Sequence, residues 1–367
     1  MKLDCLTAEL VEALTHVSKA ASPKSALPVI EGILMRAGRH GLYLCCYNLD
    51  MGITKTIDAN VIEEGSVVVP LRFCDIIRHM PAGRVTIECN EKLVVNIRCE
   101  DTDFDIVGMP SLEFPELPVV DGDHNITIAE GKLRSMITQT AHAISTKQDR
   151  PIYTGALFEV EQSLLRIITL DGYRVAVRTE DAVNDDQYEF IVPGKTLAEI
   201  GRLLSDNDEN VEICVAKHNI VFMINGYSVI SRLMTGTFIN YRTAFDLSTG
   251  KEMTVRTSDI LKCVERMTLV NSEAQRSPVR CTFGDNRIRM RCETALGRAD
   301  DTIRCAGDFE EVEIGFNNKY MLDAFRAADT DEVRVVINNG NKAVRILPPE
   351  GEHFMFLLMP VMLMKNS

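Results

Sequence analysis

The sequence predicts an α+β fold built from three similar domains. The first observation is a repeat: three times, a hydrophobic strand runs into a helix and alternating strands follow. The second is the period, since Arg72, Lys195 and Lys319 occupy matching points and lie 123 and 124 residues apart. The third is the length of 367 residues, which exceeds what one ordinary core supports.

The second half of each repeat supplies a strand, a helix and two further strands. Its three copies begin at Val67, Phe190 and Glu313. In each copy a polar link follows the helix, and the pattern V-x-[IV]-x-[CVI] then sends alternate side chains to opposite faces of a strand. This alternation is typical of antiparallel sheets with one buried face.

The first half of each repeat begins with an amphipathic helix, and a strand pair follows it. The helices start near Leu6, Ala129 and Arg256, and Thr7 and Ser258 are predicted to cap the first and the third. One face of the second helix has the spacing of a buried stripe. That stripe comprises Leu133, Met136, Ile137, Thr140 and Ile144. Each repeat therefore reads β-α-β-β-β-β-α-β-β-β, with two helices on its sheets.

Two links predict the domain boundaries. A proline-rich stretch runs from Met109 to Asp121, and a softer link lies around 246–251. The predicted domains are residues 1–121, 122–247 and 248–367. A solenoid is the alternative use of a triple repeat, but its units are only ~20–45 residues long. Long repeats favour a symmetric assembly, for which a ring is one solution.

The composition predicts a cytoplasmic protein without cofactor or metal. The apolar stretches are shorter than the ~20 residues that span a bilayer, and the first residues include Asp4 and Glu9 instead of a signal-peptide core. The eleven cysteines form no C-x-x-C motif, which indicates small core residues in a reducing compartment. The net charge of −13 argues against nucleic-acid binding on average, but it does not fix where the charges lie.

No catalytic motif occurs in the sequence. It lacks a G-x-x-x-x-G-K-[ST] loop, a G-x-S-x-G turn and an H-E-x-x-H helix. The sequence therefore predicts a protein that is not an enzyme. One alternative stays open, an α+β enzyme whose site assembles at a domain junction with Asp171 as its acid. The other interpretation of Asp171 is a turn residue before Gly172.

The second helix of each repeat carries basic and acidic residues on one face. The three sets are Lys195, Glu199 and Arg202; Lys319, Asp323 and Arg326; and, one residue shorter, Arg72, Asp75 and Arg78. The spacing suits ion pairs on a solvated helix face. It suits equally a set of basic groups that pseudo-symmetry repeats around a common axis.

Six segments carry a resemblance that covers Met1 to about Leu363. They read SALPVIEGILMRA, YNLDMGI, QDRPIYTGALFE, TLDGYRVAV, TGTFINYR and LLMPVML. Together they resemble the bacterial DNA polymerase III beta subunit, the DNA sliding clamp family. The resemblance implies domains with antiparallel sheets outside and two helices inside, assembled as a two-chain closed ring. It also implies a role in DNA replication as a processivity factor, without enzymatic activity.

The resemblance implies contacts with double-stranded DNA. Lys24 and Gln148 match family positions that touch DNA, and Arg72 and Lys195 are expected to be channel basic residues. Phosphate contacts of this kind carry no sequence information, as a protein that moves along DNA requires. An acidic exterior would leave such a channel accessible to DNA despite the net charge.

The resemblance also implies a head-to-tail homodimer. Phe104 and Ile106 of the first domain are expected to meet Leu269 and Val270 of the third. Edge strands that pair across two chains would extend the sheet and cover exposed backbone groups.

A groove for short linear peptides is expected between the second and third domains. Its partners would be the DNA polymerase III catalytic subunit, the clamp-loader complex, and other polymerases and repair proteins. Its matching residues are Tyr153, Leu170, Gly172, Tyr173, Arg174, Val175, Ile239, Ala244, Asn341, Ala343, Leu357, Met359, Pro360, Val361 and Met362. Ile239, Met362 and the tail Met364–Ser367 depart from the usual pattern. A scaffold that kept the groove but not DNA binding is a further alternative.

Overall fold

The computed structural model describes residues 1–22, 24–122, 124–184, 186–244, 250–271, 277–338 and 341–363. The predicted boundary between residues 247 and 248 and the tail Met364–Ser367 lie outside these ranges. The α-helices are α1 (Thr7–Val17), α2 (Arg72–Arg78), α3 (Glu130–Ala141), α4 (Gly194–Leu203), α5 (Thr257–Thr268) and α6 (Asn318–Ala327). None of the helices in the described ranges is long and apolar enough to cross a membrane.

The strands follow the chain in three series. The first is β1 (Lys2–Leu6), β2 (Gly32–Gly38), β3 (Gly41–Tyr47), β4 (Met51–Ile57), β5 (Ala59–Glu63), β6 (Gly65–Pro70), β7 (Arg84–Cys89), β8 (Val94–Cys99) and β9 (Thr102–Val107). The second is β10 (His124–Ala129), β11 (Gly155–Glu161), β12 (Leu164–Leu170), β13 (Arg174–Asp181), β14 (Tyr188–Pro193), β15 (Asn210–Val215), β16 (Asn219–Ile224) and β17 (Tyr227–Arg232). The third is β18 (Lys251–Arg256), β19 (Val279–Gly284), β20 (Arg287–Thr294), β21 (Gly297–Arg304), β22 (Val312–Phe316), β23 (Glu332–Ile337), β24 (Val344–Leu347) and β25 (Phe354–Leu358).

The prediction of three similar α+β domains is confirmed. In each domain a strand leads directly into the second helix and two antiparallel strands follow: β6-α2-β7-β8, β14-α4-β15-β16 and β22-α6-β23-β24. Within the described ranges each domain holds two α-helices, as the sequence predicts. The boundary between residues 121 and 122 stays a prediction.

The chain divides into two compact units, and the middle domain contributes to both. The first unit comprises Met1–Arg134, Ala182–Asp186 and Lys195–Met234; the second comprises Ser135–Asp181, Gln187–Gly194 and Thr235–Ser367. Within the first unit the sheets have the orders β5-β1-β7-β8-β9 and β10-β15-β16-β17-β4-β3-β2-β6. Within the second they have the orders β14-β11-β12-β13-β25-β24-β23-β18 and β21-β20-β19-β22.

Both eight-stranded sheets cross a domain junction. In the first unit, β17 of the middle domain pairs with β4 of the first domain, and Val229 lies opposite Ile53. In the second unit, β25 of the third domain pairs with β13 of the middle domain, and Phe356 lies opposite Ala176. All four side chains are buried, so each junction combines backbone hydrogen bonds with an apolar contact.

The first helix of each domain begins without the predicted side-chain cap. The N-cap residues of α1 and α5 are Leu6 and Arg256, and neither makes a capping bond. The prediction for Thr7 and Ser258 was wrong because the preceding strand runs straight into each helix. The first helical amide donates instead to a carbonyl from elsewhere in the domain, as Thr7 N does to Gly83 O at 2.9 Å.

The helices pack through the predicted kind of apolar face. In α3 the side chains of Leu133, Met136, Ile137 and Thr140 are buried, whereas Ile144 lies beyond the helix end at Ala141. In α5 the buried face follows the same spacing. It comprises Thr257, Ile260, Cys263, Val264 and Met267.

A buried carboxylate connects the segment after strand β17 to the sheet of the middle domain. Glu159 on β11 accepts hydrogen bonds from Arg166 Nη1 (2.9 Å), Tyr241 Oη (2.8 Å) and Arg242 Nη2 (2.8 Å). Glu159 is 7% exposed, so its charge depends on these donors instead of water.

Glu159→Ala is expected to lower the free energy of unfolding by about 1–3 kcal/mol, because it removes a buried acceptor that three donors share. Urea unfolding measures this change. The matched control is Glu189→Ala, which removes an exposed glutamate opposite Glu159 on β14 and should change stability by less than about 0.5 kcal/mol. Equal effects of the two variants would contradict the role assigned to Glu159.

Candidate functional site

Exposed apolar side chains mark one surface of the second unit. Tyr173, Ile239, Met359, Val361 and Met362 are all exposed, and Met362 is 96% exposed. Each belongs to the set predicted to form the peptide groove. Apolar patches of this kind are unusual on the surface of a protein that binds nothing.

The chain after β25 is held in place by backbone bonds. Arg174 lies opposite Leu358 where β13 pairs with β25. Beyond that pair, Met359 N donates to Tyr173 O at 2.9 Å and Val361 N donates to Gly315 O at 2.8 Å. The C-terminal segment is therefore an ordered part of the site that it helps to form.

The turn before β13 is built by Asp171. Its Oδ1 atom accepts from Tyr173 N (2.9 Å) and Arg174 N (3.1 Å), and Gly172 between them has a φ of +90°. A left-handed φ favours glycine at that position. Asp171 Oδ2 accepts from Arg174 Nε at 3.0 Å, so the geometry supports the turn interpretation of this residue.

Arg174 joins the middle domain to helix α6. Its side chain is 7% exposed, and Nη1 donates to Asp323 Oδ2 at 2.6 Å. The guanidinium also lies over the ring of Tyr320 at 4.3 Å, and Tyr320 stacks on Tyr173 with ring centroids 6.1 Å apart. Two carboxylates hold Arg174, so its role in this arrangement is to position Tyr173 and α6.

The predicted groove residues divide into a buried floor and an exposed lip. Leu170, Val175, Leu357 and Tyr153 are buried. Tyr153 packs edge-on against Phe238, with ring centroids 5.8 Å apart. Of the other predicted residues, Gly172 and Asn341 are exposed, Ala343 is half-buried, and Ala244 closes the 3-10 helix Tyr241–Ala244. The sequence does not distinguish these classes because both consist of apolar residues at strand ends.

A cavity of about 480 Å³ adjoins the apolar lip, shares Tyr173 and Val361 with it, and is also lined by Arg174. Sequence reasoning missed its polar wall, which includes Lys147 and Asn318. The buried Oδ1 atom of Asn318 has no hydrogen-bond partner within the described part of the chain. An acceptor of this kind in a cavity wall can bind a donor from a ligand.

The described residues include no cluster of three or more His, Cys, Asp or Glu placed to hold a metal ion. The eleven cysteines are free thiols. Burial raises the pKa of Cys5 and Cys45 to about 12, which keeps both thiols protonated and unreactive.

Comparison with known proteins identifies the family. Models of the N-terminal, central and C-terminal domains of the DNA polymerase III beta subunit match residues 1–118, 127–240 and 243–362. The chain belongs to the DNA polymerase III beta subunit family.

Relatives extend over nearly the whole chain. Proteins named beta sliding clamp are 29% identical in Staphylococcus aureus (96% of each chain) and 28% identical in Halalkalibacterium halodurans (96% of this chain, 97% of that one). The crystal structure of the DNA polymerase sliding clamp from Bacillus subtilis has a TM-score of 0.95 and 28% identity, covering 99% of this chain and 100% of that one. A putative DNA polymerase III beta subunit from Eubacterium rectale has a TM-score of 0.94 and 30% identity, covering 98% and 99%.

In this member of the family, the residues predicted to contact DNA are exposed. Lys24 and Gln148 lie outside the α-helices, Arg72 begins α2, and Lys195 is the second residue of α4. None of the four makes an ion pair within the described ranges. Lys24, Arg72 and Lys195 belong to the first unit and Gln148 to the second.

Other arginines of the predicted helix faces are neutralised. Arg202 pairs with Glu199 on α4, and Arg78 pairs with Asp75 on α2 at 3.2 Å. Arg326 of α6 reaches Glu265 of α5 at 3.0 Å, and Asp323 binds Arg174 instead. The predicted pairing within one helix face therefore forms for Arg202 and Arg78, whereas Arg326 pairs with a second helix.

The residues predicted to close a dimer lie on one edge strand and beside another. Phe104 and Ile106 are on β9, the edge strand of the five-stranded sheet. Leu269 and Val270 follow α5, and Leu269 is 81% exposed. Thr294 Oγ1 donates to Val270 O at 2.5 Å, which holds this pair beside the start of edge strand β21.

A histidine beside the groove gives the second unit a pH dependence. Burial, and then the charge of Arg174, lowers the pKa of His142 to about 4. Its ring packs edge-on against Phe356, and neither ring nitrogen has a hydrogen-bond partner in the described residues. The unfolded chain therefore binds this proton more tightly than the folded chain.

Stability from neutral His142 is present above pH 6.5 and is lost as the pH falls toward 4. We expect the free energy of unfolding of wild type to fall between pH 7 and pH 5 by about 2 kcal/mol more than that of His142→Leu. Urea unfolding at both pH values checks this. The control His40→Leu removes an exposed histidine and should retain the wild-type difference; a parallel loss in His142→Leu would refute the assignment.

Proposed function

We propose that this protein is a DNA sliding clamp that encircles duplex DNA in the cytoplasm and tethers the replicative polymerase. It catalyses no reaction of its own. Two chains form the ring, with the sheets outside and the helices facing DNA. The observation that carries the proposal is the strand order at the two domain junctions.

The strand order supports a third junction, formed with a second chain. Each internal junction joins four strands of one domain to four of the next: β10-β15-β16-β17 to β4-β3-β2-β6, and β18-β23-β24-β25 to β13-β12-β11-β14. The strands left over are β5-β1-β7-β8-β9 in the first domain and β21-β20-β19-β22 in the third. Joining β9 of one chain to β21 of a second chain repeats the eight-stranded order of the internal junctions, with β5 as one additional edge strand. Two chains then close head to tail with two identical junctions.

Side-chain packing at an internal junction supports the same assignment. His142, just after α3, packs on Phe356 of β25. In the repeat, Leu269 occupies the position of His142 and Phe104 that of Phe356. Leu269 of one chain would therefore cover Phe104 of its partner. Both side chains are exposed in the single chain, and pairing removes that apolar surface from water.

Binding to DNA is proposed to be weak, independent of sequence and topological. Lys24, Arg72 and Lys195 are exposed and make no ion pair within the described residues, and few cations of this kind suffice for attraction to phosphates. The exposed amide of Gln148 can add a neutral hydrogen bond. Strong contacts would slow movement along DNA. Retention on DNA then depends on ring closure instead of affinity.

Clamp loaded on nicked circular DNA is expected to remain bound through gel filtration and to dissociate when the DNA is cut once. Lys24→Ala with Gln148→Ala should weaken DNA contact and lower the salt slope by about one phosphate, because one cation is lost. Lys92→Ala, at an exposed turn, is the control and should load normally. Tight binding of one specific sequence at high salt would overturn the proposal.

Partners are proposed to bind through peptides that insert Leu or Phe side chains against the apolar lip of the groove. They include the DNA polymerase III catalytic subunit, the clamp loader, other polymerases and repair proteins. Met359 and Met362 provide an adaptable surface, and the cavity beside Tyr173 accommodates polar groups that flank the anchors. One or two buried anchors contribute ~1.5–3 kcal/mol each before ordering costs, which gives the modest affinity that exchange among partners requires.

Met359→Ala with Pro360→Ala is expected to weaken binding of a polymerase-derived peptide by roughly 5–30-fold, because apolar contact area is lost. Isothermal titration calorimetry provides the measurement. Met223→Ala, which removes an exposed methionine of β16 in the first unit, is the control and should bind as wild type does. Unchanged affinity in the first variant, with the dimer intact, would remove the C-terminal segment from the site.

A further inference from the structure

The exposed face of strand β9 is acidic. Asp103 and Asp105 point to the same face and share one donor, since Asn96 Nδ2 donates to both Oδ1 atoms, at 2.5 Å and 3.0 Å. Arg98 binds Asp103 at 3.0 Å. Asp105 has no cation in the described ranges, so this edge retains net negative charge.

The exposed face of β20 and β21 has the opposite charge. Asp300 Oδ2 accepts from Arg289 (2.8 Å), Arg291 (3.1 Å) and Arg298 (3.0 Å). Glu293 lies opposite Arg298 on the same face, so these three guanidinium groups and two carboxylates leave one positive charge in excess. The arginines hold the pKa of Asp300 well below its usual range, so the carboxylate is ionised at any physiological pH.

The internal junctions fix the register that would bring these faces together. In the hairpins that lead into β4 and β21, Tyr47 lies opposite Gly52 and Glu293 opposite Arg298, with four residues between the members of each pair. Gly52 and Arg298 are therefore equivalent positions, and so are the residues that follow them, Ile53 and Ala299.

Strand β9 corresponds to β17 in the same way. Each follows a two-residue turn, which begins after Cys99 before β9 and after Ile224 before β17. Phe104 therefore corresponds to Val229. Because Val229 lies opposite Ile53, Phe104 is placed opposite Ala299 of the second chain.

This register places apolar side chains together on one face of the joined sheet and charged side chains together on the other. Phe104 and Ala299 share the core face, since their neighbours Ile97 and Cys292 are buried. On the other face Asp105 lies opposite Arg298. Asp103 lies opposite Asp300, whose own charge is compensated by Arg289, Arg291 and Arg298. Antiparallel alternation allows no other assignment of faces in this register.

The same register pairs two exposed apolar side chains. Val107 is 72% exposed and Leu296 is 68% exposed, and each lies at the end of its edge. Three residues after Phe104 and three residues before Ala299, Val107 and Leu296 lie opposite each other. Two exposed apolar side chains that would lie opposite each other can be buried when the two edges pair.

We propose that Asp103 and Asp105 of one chain dock on the Arg289, Arg291 and Arg298 cluster of a second copy, and that these charges select the head-to-tail orientation. The inference rests on the proposed clamp. A β9-to-β9 contact would place four of these aspartates together, and a β21-to-β21 contact six of these arginines. Like charges oppose both symmetric contacts, whereas the mixed contact is attractive.

A reciprocal charge swap tests the pairing. One variant, Asp103→Arg with Asp105→Arg, makes both edges basic; the other, Arg291→Asp with Arg298→Asp, makes both edges acidic. Each alone should dimerise at least 10-fold more weakly than wild type in sedimentation. An equimolar mixture should recover dimers near 82 kDa, twice the chain mass of 41.0 kDa, because both junctions of the mixed ring are then complementary. Swapped variants that dimerise like wild type, or a mixture that stays monomeric although both chains are folded by circular dichroism, would overturn the proposal.

Two further variants separate this inference from the clamp itself. Asp103→Asn with Asp105→Asn keeps the side-chain shape, so it tests the charge even if a swapped chain fails to fold. Its dimer should be weaker at low salt and approach wild type at 1 M NaCl. Leu269→Ala with Val270→Ala removes apolar contact and should weaken the dimer at every salt concentration. If only the latter pair matters, the charge inference fails and the clamp stands; a monomeric wild type rejects both.

Discussion

Antiparallel strand pairing across domain junctions is the interaction on which the rest of this structure depends. At β17 with β4, and again at β25 with β13, backbone hydrogen bonds continue one sheet into the next domain. Buried pairs such as Ile53 with Val229 lie on the core side of these contacts. A strand that ended unpaired at either place would expose its amides and an apolar face together. The domain is thus a unit of sequence repetition, and the sheet is the unit of packing.

The position of the proposed peptide groove follows from the second junction. Because β25 pairs with β13, the chain that leaves β25 must run beside the turn that enters β13. The backbone amide of Met359 donates to the carbonyl of Tyr173 there, and hydrogen bonds between Asp171 and Arg174 stabilise the turn. The apolar lip therefore rests on a sheet and on an ion-paired support, which limits the ordering cost when a peptide binds.

The sequence predicts the repeat and the helix faces, and it supplies candidate residues for the site, because these depend on local periodicity and on short motifs. It does not reveal partners that are distant along the chain. Arg174 and Asp323 are 149 residues apart, so the spacing of Asp323 with Arg326 suggested a helix ion pair that does not form. The predicted N-cap residues were wrong for a related reason, because the backbone amide of Thr7 donates to the distant carbonyl of Gly83. The sequence also does not show which apolar residues are buried, because the buried Val175 and the exposed Val361 have the same side chain.

A net charge of −13 is compatible with binding DNA once ion pairing is considered. Arg78, Arg202 and Arg326 have carboxylates within their own helix pair, which reduces their attraction for phosphate. Unpaired cations such as Arg72 and Lys195 remain, each at the start of a helix. Each unpaired cation adds one salt-sensitive contact that must break when the protein moves along DNA. Pairing most helix arginines with acids therefore lowers the barrier to sliding, and a closed ring needs no strong attraction in order to stay on its DNA.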